Sequence, residues 1–260
     1  TNGLSNGTSN AYDSYYLARP YLDMLAKGEA DPKTLDDKAR RVLRLIFRTS
    51  MNTAKPFGSL CSEAHYEAAR RIGAEGIVLL KNGKGLLPLP STPGKAARVL
   101  VVGENALKMM TVGGGSSSLK VQREVSPLDG IRAAAPEGMT VDFARGYVGD
   151  VTGEYNGVTS GQDLSESRGA DELIAEAVAK AREADYVIFV GGLNKSAGQD
   201  CEDADRASLS LPYGQDEVIS ALAKANPSLV VVNVSGNAVA MPWVKQVPAI
   251  LQAWFLGSEA

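Results

Sequence analysis

Short apolar runs that alternate with amphipathic stretches constrain the fold of this 260-residue chain more than any other feature of its sequence. The runs are continuous and rich in branched aliphatic residues, which predicts strands buried on both faces. They lie at 77–80, 98–103, 185–191, 229–235 and 249–255, with a weaker one at 139–144. Amphipathic stretches at about 170–183 and 213–225 show the apolar spacing of helices. The pattern predicts an α/β domain in which helices sandwich a mostly parallel sheet.

Two further helices are predicted before this alternating region, one at about 11–27 and one that begins at Asp31-Pro32. Asp31 is a favourable N-cap residue, and proline suits the first helical position. The second helix carries an apolar stripe formed by Leu35, Ala39, Val42, Leu43 and Ile46. Because two helices without a strand cannot enclose a core, we expect residues 1–50 to be the remainder of a preceding, truncated domain.

The segment 51–62 contains proline and glycine between two periodic segments, which is typical of a linker. Ser62 is placed to cap a helix that continues to about residue 73. We expect the α/β domain to cover residues 63–260. Its last apolar run, at 249–255, has no helix or cap behind it, so we expect this domain to be truncated at its C-terminus.

Composition and charge narrow the classes of function. The chain has 27 Lys and Arg against 30 Asp and Glu, so it lacks the basic excess that binds nucleic acid. No apolar run approaches the ~18–20 residues of a membrane helix, and we expect no membrane insertion. A single histidine cannot build a multi-histidine metal site, and we expect neither a metal nor a cofactor. Cys61 and Cys201 fit neither a zinc pattern nor a Cys-x-x-Cys motif, so two unpaired thiols are favoured over a disulfide.

A glycine-rich segment, Gly113–Ser118, follows the apolar run at 98–103. In an open parallel sheet, ligands bind beyond the carboxyl ends of the strands, so this position invites a nucleotide interpretation. The spacing matches neither the dinucleotide fingerprint nor the P-loop. A flexible loop and a loop that contacts an uncharged polar ligand such as a sugar remain as alternatives.

An acidic segment follows the run at 185–191. It carries Asp200, Glu202, Asp203 and Asp205 within six residues, followed by Arg206. Crowded like charges are predicted to raise at least one carboxyl pKa, and a general acid needs a carboxyl that is protonated near neutral pH. Arg206 is expected to keep one neighbour ionised, most simply Asp205. A solvated acidic loop and a metal site are the alternatives, although the EF-hand pattern is absent.

Other notable side chains are given structural roles. His65, on the helix after Ser62, is expected to be a surface or capping histidine, and Trp243 and Trp254 are expected in the core. Acidic residues near predicted helix starts suit the helix dipole, namely Asp36, Asp37, Asp171 and Glu172.

Five segments of the chain carry a family resemblance, namely RRVLRLIFRTSMNT (40–53), HYEAARRIGAEGIVLLKNGKGLLP (65–88), VLVVGENALKMMTVGGGSSS (99–118), SPLDG (126–130) and GLNKSAGQDCEDADRASLSLPY (192–213). Together they resemble the family 3 glycoside hydrolases, the β-glucosidase and β-xylosidase group. In that family a (β/α)₈ barrel precedes an α/β sandwich domain. The resemblance implies that residues 1–50 are the tail of the barrel, 51–62 the interdomain linker and 63–260 most of the sandwich.

The resemblance also implies a retaining mechanism that divides two carboxylates between two domains. The nucleophilic aspartate belongs to a Ser-Asp-Trp-like motif of the barrel, which this sequence does not contain. Glu202 matches the general acid/base, and Asp203 stands where glycine is frequent, which adds charge beside Glu202. Asp205 and Arg206 are expected to orient the acidic segment. Residues Gly114, Ser116 and Ser117 are expected to line the mouth of a subsite.

The expected substrate is therefore an oligosaccharide or other β-linked glycoside, and the expected partner is the missing barrel domain. The resemblance implies a periplasmic or secreted enzyme, and the fragment alone is expected to be inactive. Two alternatives are a non-catalytic carbohydrate-binding or scaffolding module of the same fold and a nucleotide-binding α/β domain. The sequence does not indicate an oligomeric state.

Overall fold

A computed structural model describes residues 15–90, 96–111, 114–116, 118–149, 161–196, 198–202 and 204–260. The chain divides into two compact units, Thr1–Ser59 and Leu60–Ala260. The division falls inside the predicted linker 51–62. The two units are described separately below.

The described part of the first unit contains helices α1 (Arg19–Ala26) and α2 (Pro32–Arg48). Helix α2 begins as predicted, because the Asp31 carboxylate accepts a hydrogen bond of 2.9 Å from the backbone N–H of Lys33. Its apolar stripe is exposed, with Val42 at 59%. An exposed apolar stripe on a helix calls for another surface to cover it. The assignment of residues 1–50 to a barrel domain stays a prediction.

The second unit is built on a six-stranded sheet in the order β1-β6-β5-β4-β2-β3. The strands are β1 (Val78–Asn82), β2 (Ala97–Val102), β3 (Met139–Ala144), β4 (Tyr186–Gly192), β5 (Leu229–Val234) and β6 (Ala249–Gln252). Strands β2 to β6 pair in parallel, and β1 pairs antiparallel with β6 at one edge. The prediction of a mostly parallel α/β sheet is confirmed. Strand β1 departs from the predicted burial, because Val78 and Leu79 of this edge strand are exposed.

The described part of the second unit also contains four α-helices: α3 (Glu63–Gly76), α4 (Pro127–Ala134), α5 (Ala170–Glu183) and α6 (Gln215–Ala225). Strand β4 illustrates the two core layers. Phe189 packs in one cluster with residues of α5 and α6, and Val190 packs in the other with residues of α4. Helix α4 was not predicted, although Ser126 caps it and proline stands at its first position. Within the described ranges, none of the helices is long and apolar enough to cross a membrane.

The structural roles assigned from the sequence hold with two exceptions. Asp171 and Glu172 lie in the first turn of α5, but the first turn of α2 holds no acidic residue, so the dipole role of Asp36 and Asp37 is wrong. Trp243 is fully buried and donates its indole N–H to Asp216 at 2.7 Å. Trp254 is 46% exposed, so its placement in the core is wrong: β6 ends at Gln252, and the indole lies beyond the sheet, donating to the Gly76 carbonyl. His65 accepts a hydrogen bond from the Ser62 backbone at the start of α3, which confirms a capping role. Both cysteines are free.

Candidate active site

The predicted site lies at the carboxyl edge of the sheet, where its strand order reverses. From β2 the chain runs to β3 on one side and then crosses to β4 on the other, so β2 and β4 flank a topological switch point. A glycine–serine loop (residues 111–119) follows β2, and an acidic loop (residues 193–213) follows β4. Because the strands are parallel, both loops leave the sheet at the same edge.

Two backbone hydrogen bonds join the glycine–serine loop to Glu202 of the acidic loop. The N–H of Ser116 donates to Oε2 of Glu202 at 2.6 Å. The N–H of Glu202 donates to the carbonyl of Gly114 at 3.2 Å. The Glu202 side chain is exposed. Its carboxylate is therefore held from one side while it stays accessible to a ligand.

Gly115 allows this close approach. Its φ of +92° lies in a region that residues with a Cβ rarely adopt. A Cβ at this position would lie 2.3 Å from Cβ of Glu202 and 2.7 Å from its Oε2. The glutamate side chain therefore occupies the space that any other residue at position 115 would need.

The hydrogen bonds from Ser116 lower the pKa of Glu202 below its ordinary value, and the loss of solvation opposes them only in part. For Glu202, the prediction that neighbouring carboxylates raise a carboxyl pKa is therefore wrong, because its pKa is lowered. Asp203, one of those neighbours, lies outside the described residues. Asp200, a second neighbouring carboxylate, forms hydrogen bonds with the loop after β5.

Asp200 ties the acidic loop to the loop after β5. Its carboxylate accepts hydrogen bonds from the Gly236 backbone at 2.7 Å and the Asn237 side chain at 2.8 Å. The Nε of Arg206 lies 3.8 Å from Oδ1 of Asp200. The expected pairing of Arg206 with Asp205 is wrong, because the arginine turns towards the largely buried Asp200 while Asp205 is exposed.

A second contact of the Arg206 guanidinium also reaches the loop after β5. Its Nη2 donates to the carbonyl of Ala238, also on the loop after β5, at 2.7 Å. Arg206 therefore joins the acidic loop to the loop after β5 through partners that the motif did not reveal.

A tyrosine and a glutamine brace the acidic loop from within. Gln199 accepts a hydrogen bond from the Asn194 backbone at 2.9 Å and donates from Nε2 to the Tyr213 hydroxyl at 2.5 Å. The Tyr213 ring stacks parallel to that of Tyr147, with centroids 6.4 Å apart. Sequence reasoning assigned no role to these residues, because they follow no motif of known spacing.

The carboxylate of Glu124 forms hydrogen bonds at the start of the glycine–serine loop, and the sequence had not indicated this role for it. Glu124 accepts hydrogen bonds from the backbone N–H groups of Met110 at 2.5 Å and Thr111 at 3.0 Å, and from the Thr111 hydroxyl. The Thr111 carbonyl accepts from the N–H of Leu119 at 2.9 Å. These contacts hold the two ends of the loop together.

A cavity of about 770 Å³ lies beside Glu202, and its lining includes Asp205, Leu209 and Asn237. The structure thus brings Glu202, Gly114 and Ser116 together, with Arg206 supporting them and Asp205 on the cavity wall. The remaining predicted residue, Ser117, lies outside the described residues. Among the side chains that are described, no three His, Cys, Asp or Glu residues form a group that could hold a metal ion.

Comparison with known proteins gives consistent matches. Residues 77–260 match the model of the glycosyl hydrolase family 3 C-terminal domain. The β-glucosidase BoGH3A of Bacteroides ovatus is 51% identical over 99% of this chain and 34% of its own length. The periplasmic β-glucosidase of Salmonella typhimurium is 32% identical, with the same two coverages of 99% and 34%.

Solved structures agree with these relatives. The crystal structure of a family 3 β-glucosidase from Bifidobacterium adolescentis aligns with a TM-score of 0.73 at 29% identity. The alignment covers 94% of this chain and 32% of that one. The chain spans about a third of the length of the relatives it matches.

Proposed function

The chain belongs to glycosyl hydrolase family 3, and on that premise we propose that it supplies the general acid/base of a retaining β-glycosidase. The proposed substrates are β-linked glucosides or related sugars. The observation that carries the proposal is an exposed glutamate, Glu202, held by the Ser116 backbone at the switch point of the sheet. The names of the relatives support the substrate class, since both curated relatives described above are β-glucosidases.

The proposed reaction has two steps. In the first, the Glu202 carboxylic acid donates its proton to the glycosidic oxygen while an aspartate carboxylate of the barrel bonds to the anomeric carbon, and the leaving group departs as an alcohol. In the second, water attacks the anomeric carbon and gives its proton to the Glu202 carboxylate as the bond to the aspartate breaks. The two carboxyl groups of a retaining enzyme stand about 5–5.5 Å apart.

The lowered pKa of Glu202 fits the second step. The N–H of Ser116 favours the carboxylate, which is the form that accepts a proton from water. For the first step Glu202 must hold a proton, and a second carboxylate about 5 Å away would raise its pKa. The barrel aspartate therefore has an electrostatic role in addition to nucleophilic attack, and its charge is consumed when the covalent intermediate forms.

The same premise supports proposals about partner and compartment. The partner is a (β/α)₈ barrel domain that contributes the nucleophile, with residues 1–50 as its final helices. The proposed location is periplasmic or secreted, supported by the relative named as a periplasmic β-glucosidase. The 260-residue chain without a barrel should not hydrolyse glycosides, and turnover of an aryl β-glucoside by the pure chain would contradict the two-domain mechanism.

The experiment replaces the aligned part of the Bacteroides ovatus β-glucosidase with this chain, and the rest of that enzyme is used to supply the proposed barrel. Glu202→Ala should lower the rate on glycosides with poor leaving groups by about 10²–10⁴-fold. Activated aryl glycosides should keep most of their rate, and azide should restore part of the loss. The exposed Glu172 on α5 provides the control variant Glu172→Ala. Equal rates for the two variants would remove Glu202 from the mechanism.

A further inference from the structure

Met110 lies just before the glycine–serine loop, and both polar groups of its backbone form hydrogen bonds with side chains. Its N–H donates to Glu124 at 2.5 Å, and its carbonyl accepts a hydrogen bond of 3.0 Å from Nζ of Lys195. Met110 itself is 2% exposed. Lys195 belongs to the acidic loop, so this contact joins the acidic loop to the residue that precedes the glycine–serine loop.

Lys195 holds an unusual conformation to make this contact. Its φ of +62° lies in the left-handed region, which residues with a Cβ rarely adopt. Burial lowers the pKa of its ammonium group, and the charges of Glu124 and Cys201 oppose that effect. The ammonium also lies 5.8 Å from the centre of the Phe255 ring. The positive φ and the partial burial of the ammonium group are both unfavourable for a lysine. The contact with Met110 is therefore a feature whose role needs an explanation.

We propose that Lys195 is a positioning residue that fixes the glycine–serine loop relative to Glu202. The hydrogen bonds to Gly114 and from Ser116 both involve Glu202, so they join the two loops through a single residue of the acidic loop. The Lys195 bond to Met110 adds a contact through a second residue of the acidic loop, which restrains the glycine–serine loop relative to Glu202. The catalytic consequence rests on the proposed function of Glu202, whereas the positioning itself does not.

The first test uses the 260-residue chain and ¹³C NMR titration of the Glu202 carboxyl group. Lys195→Met keeps the aliphatic stem and removes the donor, so Glu202 should titrate at higher pH as its bond to Ser116 weakens. Lys195→Arg should restore the original titration, because arginine also donates to a carbonyl. Lys120→Met, which removes an exposed lysine, is the control for loss of one positive charge.

Unchanged titration of Glu202 in Lys195→Met would overturn the proposal, as would an equal shift in Lys120→Met. If Lys195→Met does not fold, Lys195→Gln provides the same comparison with a shorter polar side chain. The same shift in Lys195→Gln would support the proposal, and an unshifted titration would overturn it.

The second test measures kinetics in the protein joined to a barrel. Lys195→Met should lower kcat on poor leaving groups by roughly 10–100-fold with little change on activated aryl glycosides. An equal loss on both substrates would indicate a general structural defect and would contradict positioning. If Glu202→Ala leaves all rates unchanged while the NMR shift persists, the proposed function fails and the positioning role stands.

Discussion

The backbone N–H of Ser116 lies 2.6 Å from Oε2 of Glu202, although 86 residues separate them in the sequence. The two residues meet because β2 and β4 are adjacent parallel strands whose following loops leave the same edge of the sheet. The contact holds the carboxylate, lowers its pKa and leaves its side chain exposed. An accessible carboxyl group with a controlled ionisation state is what general acid/base chemistry requires.

The first prediction concerns the ionisation of Glu202 in the 260-residue chain. Its carboxyl group should titrate below the ordinary glutamate value of about 4.3, because the Ser116 N–H stabilises the charged form. The carboxylate therefore persists above that lowered pKa and is lost as the pH falls through it. NMR titration of the Glu202 carboxyl group checks this. A midpoint at or above the ordinary glutamate value would contradict the prediction.

The second prediction concerns Gly115→Ala. The added Cβ would lie 2.3 Å from Cβ of Glu202, so the glycine–serine loop must move away and the Ser116 bond must lengthen. We expect the pKa of Glu202 to rise towards its ordinary value and the glycosidase rate of the barrel-joined protein to fall. Gly198→Ala is the matched control, because Gly198 also has a positive φ, +76°, with no atom within 4 Å of the added group.

Measurement of both glycine variants separates the two effects of substitution. Backbone strain of about 1–3 kcal/mol should appear in the unfolding free energy of each. Only Gly115→Ala should change the titration of Glu202. A shift of similar size in Gly198→Ala would show that strain, rather than contact with Glu202, is responsible.

The third prediction concerns Asp200, which replaces Asp205 as the partner of Arg206. Asp200→Ala should lower the free energy of unfolding by about 3–5 kcal/mol, because it leaves a largely buried guanidinium without its carboxylate. Asp205→Ala, at an exposed position, should change it by less than about 0.5 kcal/mol. Both tryptophans belong to the unit Leu60–Ala260, so urea unfolding followed by their fluorescence reports on the correct part of the chain. Equal losses would restore Asp205 as the supporting residue.

The fourth prediction concerns the buried ion pair of Glu104 and Arg145. Nη2 of Arg145 lies 2.8 Å from the Glu104 carboxylate, and the two side chains are 8% and 0% exposed. Arg145→Met should destabilise the second unit by about 3–5 kcal/mol, since it leaves a buried carboxylate without a counter-charge. Adding Glu104→Gln should recover part of the loss.

A surface pair provides the control for this ion pair. Arg98 and Glu183 lie 4.0 Å apart and are 64% and 76% exposed, so Arg98→Met should cost less than about 1 kcal/mol. Similar losses for Arg98→Met and Arg145→Met in urea unfolding would mean that burial does not govern the strength of these pairs.

Much of the fold could be predicted because its signals are local. Continuous apolar runs located five strands, a weaker run located β3, and the pair Asp31-Pro32 located the start of α2. Burial was less predictable: β1 has the composition of a buried strand, yet its position at the sheet edge leaves Val78 and Leu79 exposed. A run of apolar residues indicates that a segment can be buried, whereas strand order decides whether another layer covers it.

The candidate site likewise combines features that a local sequence pattern indicates with contacts that only the folded sheet brings together. Local pattern and family resemblance identified the acidic segment after β4 and singled out Glu202, because clustered carboxylates and strand ends are visible in one stretch of chain. The partners of these residues come from distant segments: Ser116 reaches Glu202 from the loop after β2, and Asp200 holds Arg206 against the loop after β5. Those contacts, and the lowered pKa that results, follow from the order of strands in the sheet. Strand order is a property of the packed chain, and no spacing within a single segment encodes it.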